Sequence, residues 1–582
     1  MSNNNETSNS AVAACPPNPP QISSSEGGHD DKKNNNDNSD RNRRGSGRSQ
    51  GRSGGRGRNG SWTDKPHREK RARDDQGRAA YNHSTKKQRS YGQGTEENKV
   101  EELGEEKEER KPKRKVAVLI GYCGTGYRGM QLNPPHKTIE SDIFEAFVKA
   151  GAISRANSND PKKSSLVRCA RTDKGVHAAG NVISLKLIIE DPDIVQKINA
   201  ELPEQIRVWG ILRTLGSFSC YQKCDSRRYE YLLPTHCFLP PHPKTFLAQK
   251  LRSIAEKEGD LEGLLERQKE VDGWWDEVDD KVRKQLKDED PELFKKAMYE
   301  ESESDKEAVL GNDGRLRSRS PGVDINKEPM ETEGKIKSEA EKIEELRYKI
   351  RAVHRVEKRA YRISQERLAR VREAFKAYEG TKNFHNYTIN KTFYEASSKR
   401  HIKSFEVLDP IIINDTEWVS LRVHGQSFMM HQIRKMVGMA MMVVRTGCPI
   451  ERIEQTFRSR KITIPKAPSL GLLLEYPVFE SYNKSAVEAH SREPIDFTIY
   501  SKEIDAFREK MIYSKLFEDE RNGNIYTGFV HFLDSFKSPH FTYLSSTGFK
   551  ALDEELEAQR NINDEMVVDS EDEDAGSDAE AG

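Results

Sequence analysis

Residues 168–181 read RCARTDKGVHAAGN and run directly into VISLKLII, a cation-rich turn feeding an alternating strand. The alternation sets Ile183, Leu185 and Leu187 against Ser184 and Lys186, the pattern of a strand with one buried face. The residues before the turn, SSLVRCA, are strand-like too, and Lys174-Gly175 permits a sharp reversal with positive φ at the glycine. Asp173 therefore sits at a strand end, where a scaffold can aim it. Arg171 beside it favours the ionised carboxylate, and an ionised aspartate serves as nucleophile, general base or ion-pair partner. A structural aspartate capping the turn is the competing reading.

Upstream, order begins abruptly at RKVAVLIGYCGTGYRGMQ, an apolar β-rich run followed by a loop carrying Gly121, Gly124, Gly126 and Gly129. The loop lacks the GK[ST] of a phosphate-binding loop, which disfavours nucleotide hydrolysis. Thr138 is placed to cap a helix in which Ile139, Ile143, Phe147 and Ala150 recur at helical spacing. Downstream, QIRVWGILR and RRYEYLLP read as further strands. In the latter, Tyr229 and Tyr231 share one face, with Arg228 and Glu230 on the other. A tyrosine facing a cleft can stack on a base or move a proton, although an ordinary phenol near pKa 10 is a poor base; a core tyrosine is the alternative.

Composition divides the rest. The chain has 582 residues, 33% charged and 34% hydrophobic, with net charge +1 and a mean hydropathy of −0.88, too polar for one compact unit of that length. Residues 1–112 are expected to be disordered, Arg/Gly-rich and then acidic, suited either to loose contact with RNA or to a solvated tail. KPHREKRAR within them and KPKRK at residues 111–115 match nuclear-import patches, so a nuclear location and contact with the import machinery are expected. Residues 113–247 and 356–482 read as two halves of one catalytic unit sharing a sheet. Residues 248–355 read as a charged insertion, partly helical and partly disordered, without a core-forming pattern. Residues 483–549 form a C-terminal extension and 550–582 an acidic disordered tail. No run approaches a transmembrane length, no signal-peptide core is evident, and seven scattered cysteines argue for a reducing compartment.

The second half contains SFMMHQIRKMVGMAMMVVRTG, apolar almost all round and so expected to be buried on most faces. Arg434 within it has Met430, Val437, Gly438 and Met441 as helical neighbours and no carboxylate on its own helix. A buried unpaired charge costs several kcal/mol, so Arg434 either reaches the surface or meets a distant acid, for which Asp173 is suited. The cysteines Cys220, Cys224 and Cys237, with His236 and His242 nearby, are the residues from which a structural zinc site would be drawn.

Together GYCGTGYRGMQ, ARTDKGVHAAGNVISL, FSCYQKCDSRRYEYLLPT, HGQSFMMHQIRKMVG and KAPSLGLLLE resemble the TruA-like family of tRNA pseudouridine synthases, in order as well as in wording. The likeness covers residues 113–240 and 355–480, and more weakly to about 535. It implies an α+β fold: two ferredoxin-like halves sharing a continuous, mostly antiparallel sheet with a central RNA-binding cleft. By position it implies that Asp173 is the catalytic aspartate, Arg171 the base-flipping arginine, Tyr229 the active-site tyrosine, Arg434 the aspartate's partner and Leu472 an apolar wall of the pocket. The implied substrates are tRNA, including the anticodon stem and loop and intron-containing precursors, and other RNAs such as snRNA and mRNA. The chemistry needs no cofactor; the zinc, if held, is structural. A non-catalytic RNA-binding or RNA-chaperone protein is the alternative from a different class.

Overall fold

The first apolar run forms β1 (Arg114–Tyr122), whose last seven residues are buried. Along the chain follow β2 (Val167–Arg168), β3 (His177–Leu187), β4 (Ile206–Arg213), β5 (Ser226–Pro234), β6 (Ala308–Leu310) and β7 (Leu316–Ser318). The remaining strands are β8 (Gly380–Asn383), β9 (Lys399–Val407), β10 (Ile411–Ile413), β11 (Thr416–Gly425) and β12 (Leu472–Val478). The computed structural model describes residues 111–287, 289–299, 308–310, 316–318 and 338–560. The expected N-terminal disorder up to residue 110, the central part of the insertion and the acidic tail beyond 560 lie outside the described residues.

Ten strands join one sheet in the order β4-β1-β3-β12-β5-β11-β9-β8, with β2 on β3 and β10 on β11; β6 and β7 pair separately. The sheet is mostly antiparallel, but β12 runs parallel to β3, with Leu473 opposite His177. The order shows how the two blocks of sequence combine. Strand β12 belongs to the second block, yet it lies between β3 and β5 of the first. In register, Leu472 stands opposite Tyr231 and Leu474 opposite Tyr229.

One face of the sheet buries Val116, Val118, Tyr229, Tyr231, Leu421, Leu472 and Leu474 against helices. Among these, Ile139–Lys149 begins at the expected Thr138, whose side chain and that of Ser141 form a reciprocal capping box. The helix Gln365–Lys376 starts at Ser364, which accepts a hydrogen bond from Arg367 N, and buries Leu368, Val371 and Phe375 completely. The helix Gln432–Arg445 is buried at every position except Arg434, which sharpens the question that residue posed.

The opposite face buries Ala117, Leu119, Val182 and Leu473 beneath Phe479, Tyr482, Phe497, Phe507 and Ile512. Most of that cover comes from residues 483–549, so the C-terminal extension is a layer of the core. Residues 549–560 continue as helix, tied down by Arg460–Asp553 and Lys250–Glu555 ion pairs, so helix extends into the stretch expected to begin the acidic tail.

The insertion also differs from expectation, because it does contain core-forming positions. Leu251, Ile254 and Ala255 are buried on the helix Phe246–Lys257. Leu346, Ile350 and Val353 of the helix Glu339–Ala360 form a small core with Val282 and Ala297. These positions follow helical spacing, but long charged residues surround them and dominate any compositional reading. Among the described residues no helix is long and apolar enough to cross a membrane.

Candidate active site

The glycine loop and the RTDKG turn, separate in sequence, form one substructure. Met130 N donates to Thr172 O (3.2 Å), pressing the loop after β1 against the turn. A Cβ at Gly129, where φ is +102°, would lie 2.8 Å from Thr172 O, and one at Gly124 would lie 2.2 Å from Val176 O. Only glycine permits that approach. Residues 124–129, GTGYRG, do have the G-x-G-x-x-G spacing of a dinucleotide loop. Their strand, however, is antiparallel to both neighbours rather than part of a parallel βαβ unit, and the glycines admit protein backbone.

A buried polar clamp fixes the turn from the other side. Tyr122 Oη and Thr172 Oγ1 are hydrogen-bonded at 2.8 Å. Asn181, fully buried, donates to Tyr122 Oη (3.2 Å) and Ala170 O (3.1 Å) and accepts from Ala170 N (3.3 Å). Burial pushes the Tyr122 phenol up to about 12, so it stays a neutral partner. His177 accepts from Gly124 N at Nδ1 (3.2 Å), and burial holds it down at about 4, neutral at physiological pH. The turn itself closes through Val176 N to Asp173 O (3.2 Å), with Gly175 at φ +75°.

The cations around Asp173 prove unequal. Arg168 is committed to Glu140, a carboxylate only 2% exposed, through two hydrogen bonds. Arg171 is exposed and makes no hydrogen bond or ion pair with another described residue. The group facing Asp173 is one the sequence reading passed over: His431 Nε2 stands 3.5 Å from Asp173 Oδ2. His431 is the N-cap of the Gln432–Arg445 helix and holds the left-handed conformation, φ +63°, where histidine is among the few side chains enriched. Asp173, with 30% of its side chain exposed, thus lies at the N-terminal end of that helix, where the dipole favours negative charge. A polar residue just ahead of a long apolar helix was the available signal, as a cap position.

Arg434 leaves the same helix end. Its Nε donates to Ala467 O (2.6 Å), and Ala467 N returns a bond to Arg434 O (3.2 Å). The segment 467–470 joins the remaining parts. Tyr231 Oη donates to Pro468 O (2.8 Å), and Ser469 Oγ approaches Gly175. Leu472, 7% exposed, follows on β12. On β5, Tyr229 packs edge-on against Phe428, with centroids 5.2 Å apart. Burial raises its pKa, opposed by Arg227, and its hydroxyl bonds to no described residue. The structure therefore brings Asp173, Arg434, Tyr229 and Leu472 onto adjoining elements, the central strands β3-β12-β5 and the helix end above them.

The cysteines expected to ligate zinc are divided between the two faces: Cys220 and Cys224 pack with Cys169 on one and Cys237 on the other. The described residues whose donor atoms do converge are His242, Asp279 and His354, all within 4.8 Å of one another.

Comparison with known proteins places this geometry in context. A family described as tRNA pseudouridine synthase matches residues 374–480. The chain is 46% identical over 470 residues to tRNA pseudouridine synthase 1 of Yarrowia lipolytica, covering 78% of this chain and 83% of that protein. It is 42% identical over 511 residues to tRNA pseudouridine synthase 1 of Schizosaccharomyces pombe, covering 83% and 93%. A tRNA pseudouridine(27/28) synthase of Saccharomyces cerevisiae is 33% identical over 429 residues, covering 72% of this chain and all of that protein.

Proposed function

The chain belongs to the tRNA pseudouridine synthase family, and on that premise we propose that it isomerises uridines of tRNA to pseudouridine with Asp173 as the catalytic carboxylate. The reaction breaks the N1–C1′ glycosidic bond, rotates the uracil and rejoins it through C5. C5 gives up a proton and N1 gains one, so composition is unchanged and no redox partner or energy source is required.

In this reading the target uridine leaves the base stack, at a cost of about a few kcal/mol, and enters between Tyr229 and Leu472. Arg171, exposed and uncommitted, occupies the position the base vacates. Asp173 acts on the flipped nucleotide as nucleophile or as base at the ribose, kept ionised by Arg434 and by the helix end it faces. His431 steadies the carboxylate from the helix end, its Nε2 3.5 Å from Asp173 Oδ2. Tyr229 stays protonated because of its burial, which suits it to stacking and proton donation; removal of the C5 proton requires a partner that draws its proton away. The two blocks act as ferredoxin-like halves, and basic groups of both hold RNA in the cleft between them by backbone and shape. The target set extends to the anticodon stem and loop, intron-containing precursors, snRNA and mRNA in the nucleus, with the basic N-terminal patches read by the import machinery.

The observation that carries the reading is the meeting of the Asp173 turn with His431, the N-cap of the Gln432–Arg445 helix, whose Nε2 stands 3.5 Å from Asp173 Oδ2. The test is to map pseudouridine across total RNA from cells with and without the active chain. Loss of defined tRNA sites, with snRNA and mRNA sites alongside, is expected; an unchanged tRNA map contradicts it.

A further inference from the structure

Resting on the roles assigned above to Asp173 and Tyr229, we propose that Arg227 is a positioning residue for the reaction. It braces the Asp173 turn against the loop entering the Gln432–Arg445 helix and sets a fixed positive charge beside Tyr229. On β5, Arg227 and Tyr229 are two residues apart and so share a face. Arg228 between them is exposed and lies over the Tyr476 ring on the other face, 6.0 Å from its centroid.

The bracing is direct. Arg227 Nη2 donates to Cys169 O (2.9 Å), and Nη1 reaches Gln426 O (3.5 Å). Cys169 stands shortly before Asp173 in the chain, and its own N–H donates to Val182 O on β3 (2.8 Å). Arg227 therefore completes the backbone pairing at the root of the catalytic turn. Gln426 follows β11 and opens the loop that ends at His431. One side chain thus joins the strand that presents Asp173 to the segment that delivers the histidine facing it. A planar guanidinium, with several donors in a fixed fork, suits two separate carbonyls.

Two carbonyls alone would be served by a neutral donor; the charge has a further use. Burial works against it, yet the thiols of Cys169 and Cys224 and the Tyr229 phenol outweigh burial, and the pKa of Arg227 is raised. Reciprocally, burial raises the pKa of Tyr229 and Arg227 opposes that rise, while Tyr122 and the two thiols add to it. Once the uracil has rejoined through C5, that carbon must lose a proton and N1 must gain one. Tyr229 gives its phenolic proton to N1, and the phenolate oxygen takes the proton from C5, which leaves Tyr229 as it began. Arg227 stabilises the phenolate formed between those transfers, from a position fixed before the reaction starts.

Two substitutions in the full chain separate brace from charge. Arg227→Gln keeps a donor for Cys169 O and removes the charge, whereas Arg227→Lys keeps the charge and loses the fork. In single turnovers on a tRNA transcript, Arg227→Gln is expected to lose about 100-fold in rate and Arg227→Lys about tenfold or less, with tRNA affinity little changed in both. Deuterium at uridine C5 should slow Arg227→Gln more than the unmodified chain, because loss of the C5 proton becomes its slow step. Replacing Tyr229 by 3-fluorotyrosine, a more acidic phenol, should restore part of the Arg227→Gln rate. A brace alone gives the reverse order, Arg227→Lys slower than Arg227→Gln, with no change in isotope effect and no recovery. That result overturns the proposal, as does Arg227→Gln at the unmodified rate. Should Arg227→Gln fail to fold, Arg227→Lys decides: a loss of about tenfold or less supports the charge, and a larger loss overturns it. Asp173→Asn run alongside keeps the two claims apart. If it is inactive while Arg227→Gln is at full rate, only the role of Arg227 falls; if it is active, the assignment beneath that role falls with it.

Discussion

The helix Gln432–Arg445 carries an arginine near each end, and the two ends treat the charge differently. At the C-terminal end Arg445 is 1% exposed, and its guanidinium is gripped through both terminal nitrogens by Asp534, itself 6% exposed. At the N-terminal end Arg434 is the one residue of the helix left unburied. The nearby carboxylate, Asp173, is 30% exposed and reached by His431. Both places bring acid and base together from distant parts of the chain. The sealed pair has no room for another molecule, so its whole effect is on folding. The open end leaves a carboxylate held but reachable, which is what a reacting group requires.

Substitution should separate the two ends. Arg434→Met is expected to cut turnover by roughly 100- to 1,000-fold, the range for losing one fixed electrostatic partner of a reacting centre, with the unfolding midpoint little changed. Single-turnover pseudouridine formation and a denaturant titration check both halves. At the sealed end, Asp534→Ala strands a buried guanidinium and is expected to cost about 3–5 kcal/mol of stability. Turnover per folded molecule should hold, and Arg445→Met combined with Asp534→Leu should recover most of the loss. Activity lost in that stable double variant would remove the distinction. The smallest effect is expected for His431→Gln, which keeps a hydrogen-bond donor near Asp173 but shifts it. A drop of roughly tenfold in kcat with KM unchanged is expected, below the cost of about 100-fold for a 1 Å misplacement. A rise in KM alone would assign His431 to binding.

The legibility of these parts in the sequence follows the range of the interactions involved. The Asp173 turn was readable because Lys174-Gly175 and the flanking alternation are local signals. The Thr138 cap was readable for the same reason. Arg434 stood out because a charge on an apolar helix demands an explanation, although its surroundings lie elsewhere in the chain. Pairing of Arg168 with Glu140 was not readable, since it depends on how a helix docks beside the turn. Nor was the placement of β12 between β3 and β5: strand order arises from contacts across more than 200 residues, for which alternation carries no address. The insertion's core was hidden differently, by charged residues that outnumber Leu346, Ile350 and Val353 on the same helix.

The central claim is that Asp173 performs the chemistry in a site that remains assembled without its charge. Asp173→Asn keeps the shape of the side chain, and the clamp of Tyr122, Thr172 and Asn181 that fixes the turn does not include it. The measurement is pseudouridine formation in a tRNA transcript by this variant, alongside its tRNA affinity at matched salt. The expected result is a loss of at least about 1,000-fold in rate with affinity within a few-fold of the unmodified chain. Turnover near the unmodified rate contradicts the account.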